Sequence, residues 1–176
     1  PYSSQFYEVC QSLDAVGYVV AQSNKSEFIR DERFTIERRA IPLASATGLM
    51  YHFRQGWCGL VLLFDAIRFK ADFVIISSGT THWFVLYLFS LLGHKIIPSI
   101  HCVLWAKYLP VRLADKLSLR LSRNLFADKF EAMLAVSHDI TEQVSQLTDG
   151  NHQPDLEFFP SFRRKDIENI PEPSEQ

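Results

Sequence analysis

Three runs of consecutive apolar, often branched residues constrain this chain more than any other feature. They are Phe73-Val74-Ile75-Ile76, the Ile96-Ile97 core of Lys95-Ile100, and Ala132-Met133-Leu134-Ala135-Val136. A strand with one face in water alternates apolar and polar side chains, and these runs do not. They belong in strands covered on both faces, which is the habit of parallel sheets.

The intervening stretches read as helices. Leu49 to Phe69 is a long helix with apolar residues nearly all round. Thr81 caps a helix that runs through Trp83 to Leu92, and Gly93 stops it. Ala106 to Phe130 is largely helical, with Pro110 at a boundary or first-turn position. A further helix opens at Ser137 or His138-Asp139 and ends near Gly150. Upstream, Gln5 to Ala15 carries Phe6, Val9, Cys10 and Leu13 at helical spacing, and Gly17-Ala21 and Phe34-Glu37 read as strands. Leu156-Pro160 is a last strand, and Pro98 sits inside the Lys95-Ile100 run, where an edge or a bulge is the usual setting. Strand and helix in alternation predict an α/β fold, a Rossmann-like parallel β-sheet with helices on both faces and right-handed crossovers. The boundaries are 1–162 for the domain and 163–176, polar and carrying Pro171 and Pro173, for a linker.

Composition removes several function classes. At 47% apolar and 22% charged, with 14 Phe among 176 residues, the chain is neither disordered nor of low complexity. A net charge of -2 lacks the basic excess of a nucleic-acid binder. Three separated cysteines, Cys10, Cys58 and Cys102, suggest neither a disulfide framework nor a zinc ribbon. The longest apolar stretch, Trp83 to Leu92, is half of the ~20 residues a bilayer helix needs. The chain opens on Pro1 with no charged leader, and a cut N-terminus is expected. Gly-x-Gly-x-x-Gly, the phosphate loop and the Gly-x-Ser-x-Gly elbow are all missing, which disfavours ordinary dehydrogenases, P-loop enzymes and serine hydrolases.

In a parallel sheet, ligands bind beyond the carboxyl ends of the strands. Three such ends carry polar groups. Ser77-Ser78-Gly79-Thr80-Thr81-His82 offers a glycine for close backbone approach and helix-start amides for an anion; it also reads as a plain turn and cap. His101 follows the Lys95-Ile100 strand, where an imidazole serves as base or hydrogen-bonds a sugar hydroxyl, or else satisfies local backbone groups. His82 is placed to cooperate with it, while His52, His94 and His152 read as surface or structural. Ser137-His138-Asp139 looks like a helix start for which capping alone is a sufficient account.

Trp105 to Lys129 forms a separate feature. Lys107, Arg112, Lys116, Arg120, Arg123 and Lys129 stand against only Asp115 and Asp128. Val111, Leu113, Leu117, Leu121 and Leu125 form an opposing stripe. A basic amphipathic helix of this kind lies on an anionic membrane surface; the plainer alternative is a surface helix with its apolar face on the sheet.

The order of these pieces resembles the N-terminal domain of GT-B glycosyltransferases of the group 1, or family 4, type, over nearly the whole chain. Pro1-Tyr2-Ser3-Ser4-Gln5-Phe6 is similar to the family's Pro-x-Gly-Gly loop, with Ser3-Ser4 at the glycines. Ala15-Val16-Gly17-Tyr18-Val19-Val20 resembles its next helix-to-strand passage. Asp72-Ile76, Ile97-His101 and Ala135-Val136-Ser137 resemble three further strand passages. Phe159-Pro160-Ser161-Phe162 stands where the approach to the second domain often reads Val-Ile-Pro-Asn-Gly.

The resemblance implies a hexosyltransferase that moves a sugar from a nucleoside diphosphate sugar to a polysaccharide or lipid-linked glycan, in cell-envelope or exopolysaccharide synthesis. It implies a first strand ahead of Pro1 and a C-terminal domain that holds most of the nucleotide sugar and a Glu-x7-Glu pair, a spacing this chain does not contain. This chain would supply the acceptor side, with His101 as the catalytic candidate. Ser3, Ser4, Ser78, Gly79, Thr80, Thr81, His82 and Ser137 would lie near acceptor or diphosphate. Lys107, Arg112, Lys116, Arg120 and Arg123 would face a membrane. Neither metal nor cofactor is implied, the location is cytoplasmic or peripheral at the inner face of the membrane, and the isolated domain is expected to be inactive. A GT-B-like sugar-nucleotide epimerase half and a non-catalytic membrane-docking α/β module are the alternatives.

Overall fold

The computed structural model describes residues 10, 12–23, 25–31, 33–40, 47–78, 83–152 and 154–157. The expected helix over Gln5-Ala15 and the linker 163–176 lie mostly or wholly outside them. Three strands come first: β1 (Gly17–Ser23), β2 (Glu27–Asp31) and β3 (Phe34–Ala40). β1 pairs parallel with β3, and β2 pairs antiparallel with it, giving a small mixed sheet in the order β1-β3-β2. The sequence reading did not include β2, and it ended β3 before Arg38-Arg39. Both arginines stay in the strand because the ladder continues through them, Arg38 opposite Ala21 and Glu27 and Arg39 opposite Gln22, and each also has a carboxylate partner, Arg38 on Glu27 and Arg39 on Glu37.

The long helix α1 (Gly48–Phe69) follows, then β4 (Phe73–Ser78), a 3-10 turn (Trp83–Leu86) leading into the short helix α2 (Tyr87–Leu91), and β5 (Lys95–Ile100). Next come α3 (Leu113–Asn124), β6 (Met133–Ala135), α4 (His138–Thr148) and β7 (Asp155–Glu157). β4, β5, β6 and β7 form an all-parallel sheet in that order, flanked by helices, an arrangement compatible with a Rossmann-like fold. The parallel sheet expected from the apolar runs is therefore present, and the upstream strands belong to a separate, mixed sheet.

α1 touches both sheets. Arg39 on β3 reaches Asp65 on α1 at 2.6 Å, and the rings of Tyr18 and Phe69 stack at 5.7 Å. Arg39 also binds Glu37, which accepts a hydrogen bond from the Tyr18 hydroxyl. Those bonds hold the Glu37 carboxyl down to about 2, the Arg39 guanidinium being the main cause. On its other side α1 buries Leu63 and Ala66 in the main core with Leu86, Phe89, Ile96, Ile100, Leu119, Leu125, Phe126 and Met133. Gly59 permits the approach, since a Cβ there would stand 2.6 Å from Val85 Cγ1.

Several expectations need correction. The Thr81 cap lies outside the described residues, and from Trp83 the expected helix is a 3-10 turn and a single α turn; its end is as expected, with Gly93 at φ +82° and the Gly93 and His94 amides donating to the Ser90 and Phe89 carbonyls. The helix expected over Ala106-Phe130 is α3 alone, running on through a π turn (Leu125–Lys129), while 101–112 is irregular. Pro98 is not on an edge strand: it pairs with Ile76, and β5 has β6 on its other side. The ladder towards β6 breaks beside it, with a bridge at Ile96↔Phe130 and pairing resumed at Ser99↔Leu134. Between those pairs two residues on one side oppose three on the other, a bulge at the place where the ring nitrogen has no hydrogen to give.

Candidate functional site

The strand registers bring four strand ends to one line. Ser78 pairs with Ile100, Ile100 with Ala135 and Ala135 with Glu157. After Ile100 and after Ala135 the chain leaves the sheet at that line, so the residues there form a polar rim.

His101 stands on it, directly after β5. It is half-buried, and its Nε2 shares a hydrogen bond with Ser99 Oγ at 3.1 Å. Burial pushes its pKa below the ordinary histidine value, because a charged imidazole loses solvation there. A neutral imidazole retains a lone pair, as a proton acceptor requires.

Ser137 lies two residues past Ala135 and precedes α4. Its backbone is extended, but its side chain makes no capping bond to the helix, so the capping expected of it is not made. The next residue, His138, is exposed and meets Glu157 Oε1 through Nδ1 at 2.9 Å. Thr141 Oγ1 donates to the same carboxylate oxygen at 2.9 Å. Glu157 raises the His138 pKa, chiefly through that hydrogen bond, and the bond from His138 lowers that of Glu157. Two imidazoles on one rim are thus pushed in opposite directions. The sequence reading missed this pair because Glu157 is 19 residues from His138, and only the β6–β7 register brings them together.

The loop after His101 is held from below. Gln143 on α4 is buried, and its Oε1 accepts from the amides of Leu104 at 2.7 Å and Trp105 at 3.3 Å. Its Nε2 donates to the Trp105 carbonyl at 2.8 Å. One side chain thereby replaces the backbone partners an irregular segment lacks. Gln143 drew no notice in the sequence, where a glutamine on an amphipathic helix reads as a surface residue.

The other expected site residues divide into three groups. Ser3, Ser4, Gly79, Thr80, Thr81 and His82 lie outside the described residues. Ser78 closes β4 on the rim line, and its backbone alone is described. Arg112, Lys116, Arg120 and Arg123 lie on or at the start of α3, with Lys107 in the loop before it. His94, read as surface or structural, binds the Ala71 carbonyl at 3.0 Å and packs edge-on against Phe89. The three cysteines are free. Among the described residues no cluster of three His, Cys, Asp or Glu is placed to hold a metal, and no helix is long and apolar enough to cross a membrane.

Two open grooves lie off the rim. One, of about 530 Å³, runs from Lys70-Phe73 to Leu92-Lys95 at the amino ends of β4 and β5. The other, of about 510 Å³, is lined by Trp105, Val111, Leu119 and Leu147 with Lys116, Arg120 and Arg123. A scan against protein-family models finds no match to this chain, and searches of the curated proteins and of the solved structures find none either.

Proposed function

We propose that this chain is the acceptor-side half of a GT-B glycosyltransferase, which moves a sugar from a nucleoside diphosphate sugar to a glycan or lipid-linked acceptor. The observation that carries the reading is His101, a half-buried imidazole hydrogen-bonded to Ser99 at the carboxyl end of an interior parallel strand. Parallel sheets bind ligands at that end. There His101 takes the proton of an acceptor hydroxyl or holds that hydroxyl by a hydrogen bond. His138, biased towards its charged form by the Glu157 carboxylate that balances that charge, stands at the neighbouring strand end, after β6.

The test is release of nucleoside diphosphate by the whole protein that carries this chain, supplied with nucleoside diphosphate sugars and membrane-extracted acceptors. His101→Ala is expected to lower turnover by roughly 10²–10⁴-fold, the span of general acid–base contributions, with an unchanged circular dichroism spectrum. Unaltered turnover in that variant removes His101 from the site, and absence of sugar-dependent release from the native protein refutes the transferase reading.

A further inference from the structure

α3 is turned opposite to the usual surface helix. Its buried residues are Ser118, Leu119 and Ser122, and Ser122 Oγ satisfies itself on the Ser118 carbonyl at 2.8 Å. Small side chains on that face let the helix lie close to the Trp83–Leu86 turn and α4, the elements it packs against. The larger apolar residues point the other way: Leu113 is 84% exposed, Leu117 58% and Leu121 48%. The loop leading into the helix adds Tyr108 at 90% and Leu109 at 69%.

At 3.6 residues per turn, Leu113, Leu117 and Leu121 form one stripe along the outer face. Lys116, Arg120 and Arg123 form the adjoining stripe. The leucines therefore lie beside the basic residues on the solvent side. Arg123 is drawn to Asp149 at 2.5 Å. Lys107, Arg112, Lys116 and Arg120 have no carboxylate partner among the described residues. The groove lined by Lys116, Arg120 and Arg123 over Trp105, Leu119 and Leu147 opens on the flank of this same helix.

We infer that the outer face of α3 is a docking surface for an anionic lipid bilayer. Charge complementarity selects this occupant. From Lys107 to Arg120 four basic residues without a carboxylate partner among the described residues stand against Asp115 alone, in a chain whose net charge is -2, so this face carries an excess of positive charge. A helix that lies in the interface sinks its apolar side roughly 5–10 Å into the headgroup and acyl boundary, with its basic side against the lipid phosphates. The leucine stripe supplies the first part, and Lys107, Arg112, Lys116 and Arg120 the second. The inference concerns a different face from the rim and stands independently of the transferase reading.

The test is co-sedimentation of the chain with vesicles of phosphatidylcholine alone and of phosphatidylcholine mixed with phosphatidylglycerol. Binding to the anionic vesicles and not to the neutral ones is expected, weakening as salt is added. Each basic residue near an anionic surface strengthens binding roughly fivefold, so Lys116→Gln with Arg120→Gln is expected to weaken it about 25-fold. Leu113→Ser with Leu117→Ser and Leu121→Ser is expected to abolish detectable binding. These side chains are exposed, so circular dichroism and the urea midpoint of both variants should match the native chain. Equal binding to both vesicle types, or anionic binding that survives both sets of substitutions, overturns the inference. A native chain that binds no vesicle and is a dimer dissolved by the serine substitutions also overturns it, by making the stripe a contact between copies.

Discussion

Gln143→Ala tests whether one buried amide organises the loop that begins at His101. The substitution removes three hydrogen bonds, to the Leu104 amide, the Trp105 amide and the Trp105 carbonyl. Leu104 is buried, so its amide is left with no access to water and incurs most of the roughly 1–3 kcal/mol cost of an orphaned polar group. The two Trp105 groups are half-buried and recover part of their loss by hydration. The expected total is about 2–4 kcal/mol, a large fraction of the roughly 5–15 kcal/mol that stabilises a domain. At roughly 2–4 °C per kcal/mol for a chain of this size, Tm falls by about 4–16 °C.

Urea unfolding followed by circular dichroism and tryptophan fluorescence measures the loss, and amide hydrogen exchange locates it at Leu104 and Trp105. Gln146→Ala is the control: Gln146 is exposed and bonds Glu142 at 3.3 Å, so its loss should stay within about 0.5 kcal/mol. If Gln143→Ala also stays within about 0.5 kcal/mol, with Leu104 exchange unchanged, the loop is held by something else and the reasoning fails.

Two more predictions follow from the same structure. Leu119→Ala should cost about 2–5 kcal/mol and Leu117→Ala less than about 0.5 kcal/mol in urea unfolding, because only the former is buried; the reverse order would mean that α3 presents its other face to the core. In an NMR titration, His101 should lose its proton below the ordinary histidine range and His138 above it, with Glu157→Gln returning His138 towards the ordinary value. The signs for stability are opposite: the His101 contribution is present above the unfolded pKa and lost as pH falls through the folded one. The His138 contribution is complete below the unfolded pKa and lost as pH rises through the folded one. Since Glu157 is itself lowered, the pair is ionised between its depressed pKa and the raised one of His138.

By itself the sequence determined the parallel sheet. Runs such as Ile96-Ile97 and Met133-Ala135 carry that information locally, because unbroken apolar character in a short segment has few solutions besides a strand covered on both faces; in β4 the run does form a parallel strand, but Phe73 and Ile75 remain exposed on one face among the described residues. It also determined the place of His101, since a polar residue just after a buried strand must lie at the strand's end. β2 was not legible: Glu27–Asp31 holds only Phe28 and Ile29 as apolar residues, and its strand conformation depends on pairing with β3.

The inner face of α3 was not legible either. Periodicity finds two stripes on a helix but not which one packs, and that was decided by neighbours close enough to favour Ser118 and Ser122 over Leu113 and Leu117. Tertiary structure alone brought Gln143 under the His101 loop, 38 or 39 residues away along the chain, and His138 against Glu157. Hydrogen bonds between residues so far apart leave no periodic trace in the sequence. They arise when strand register and helix packing fix the distance between the partners, and that distance belongs to the folded chain.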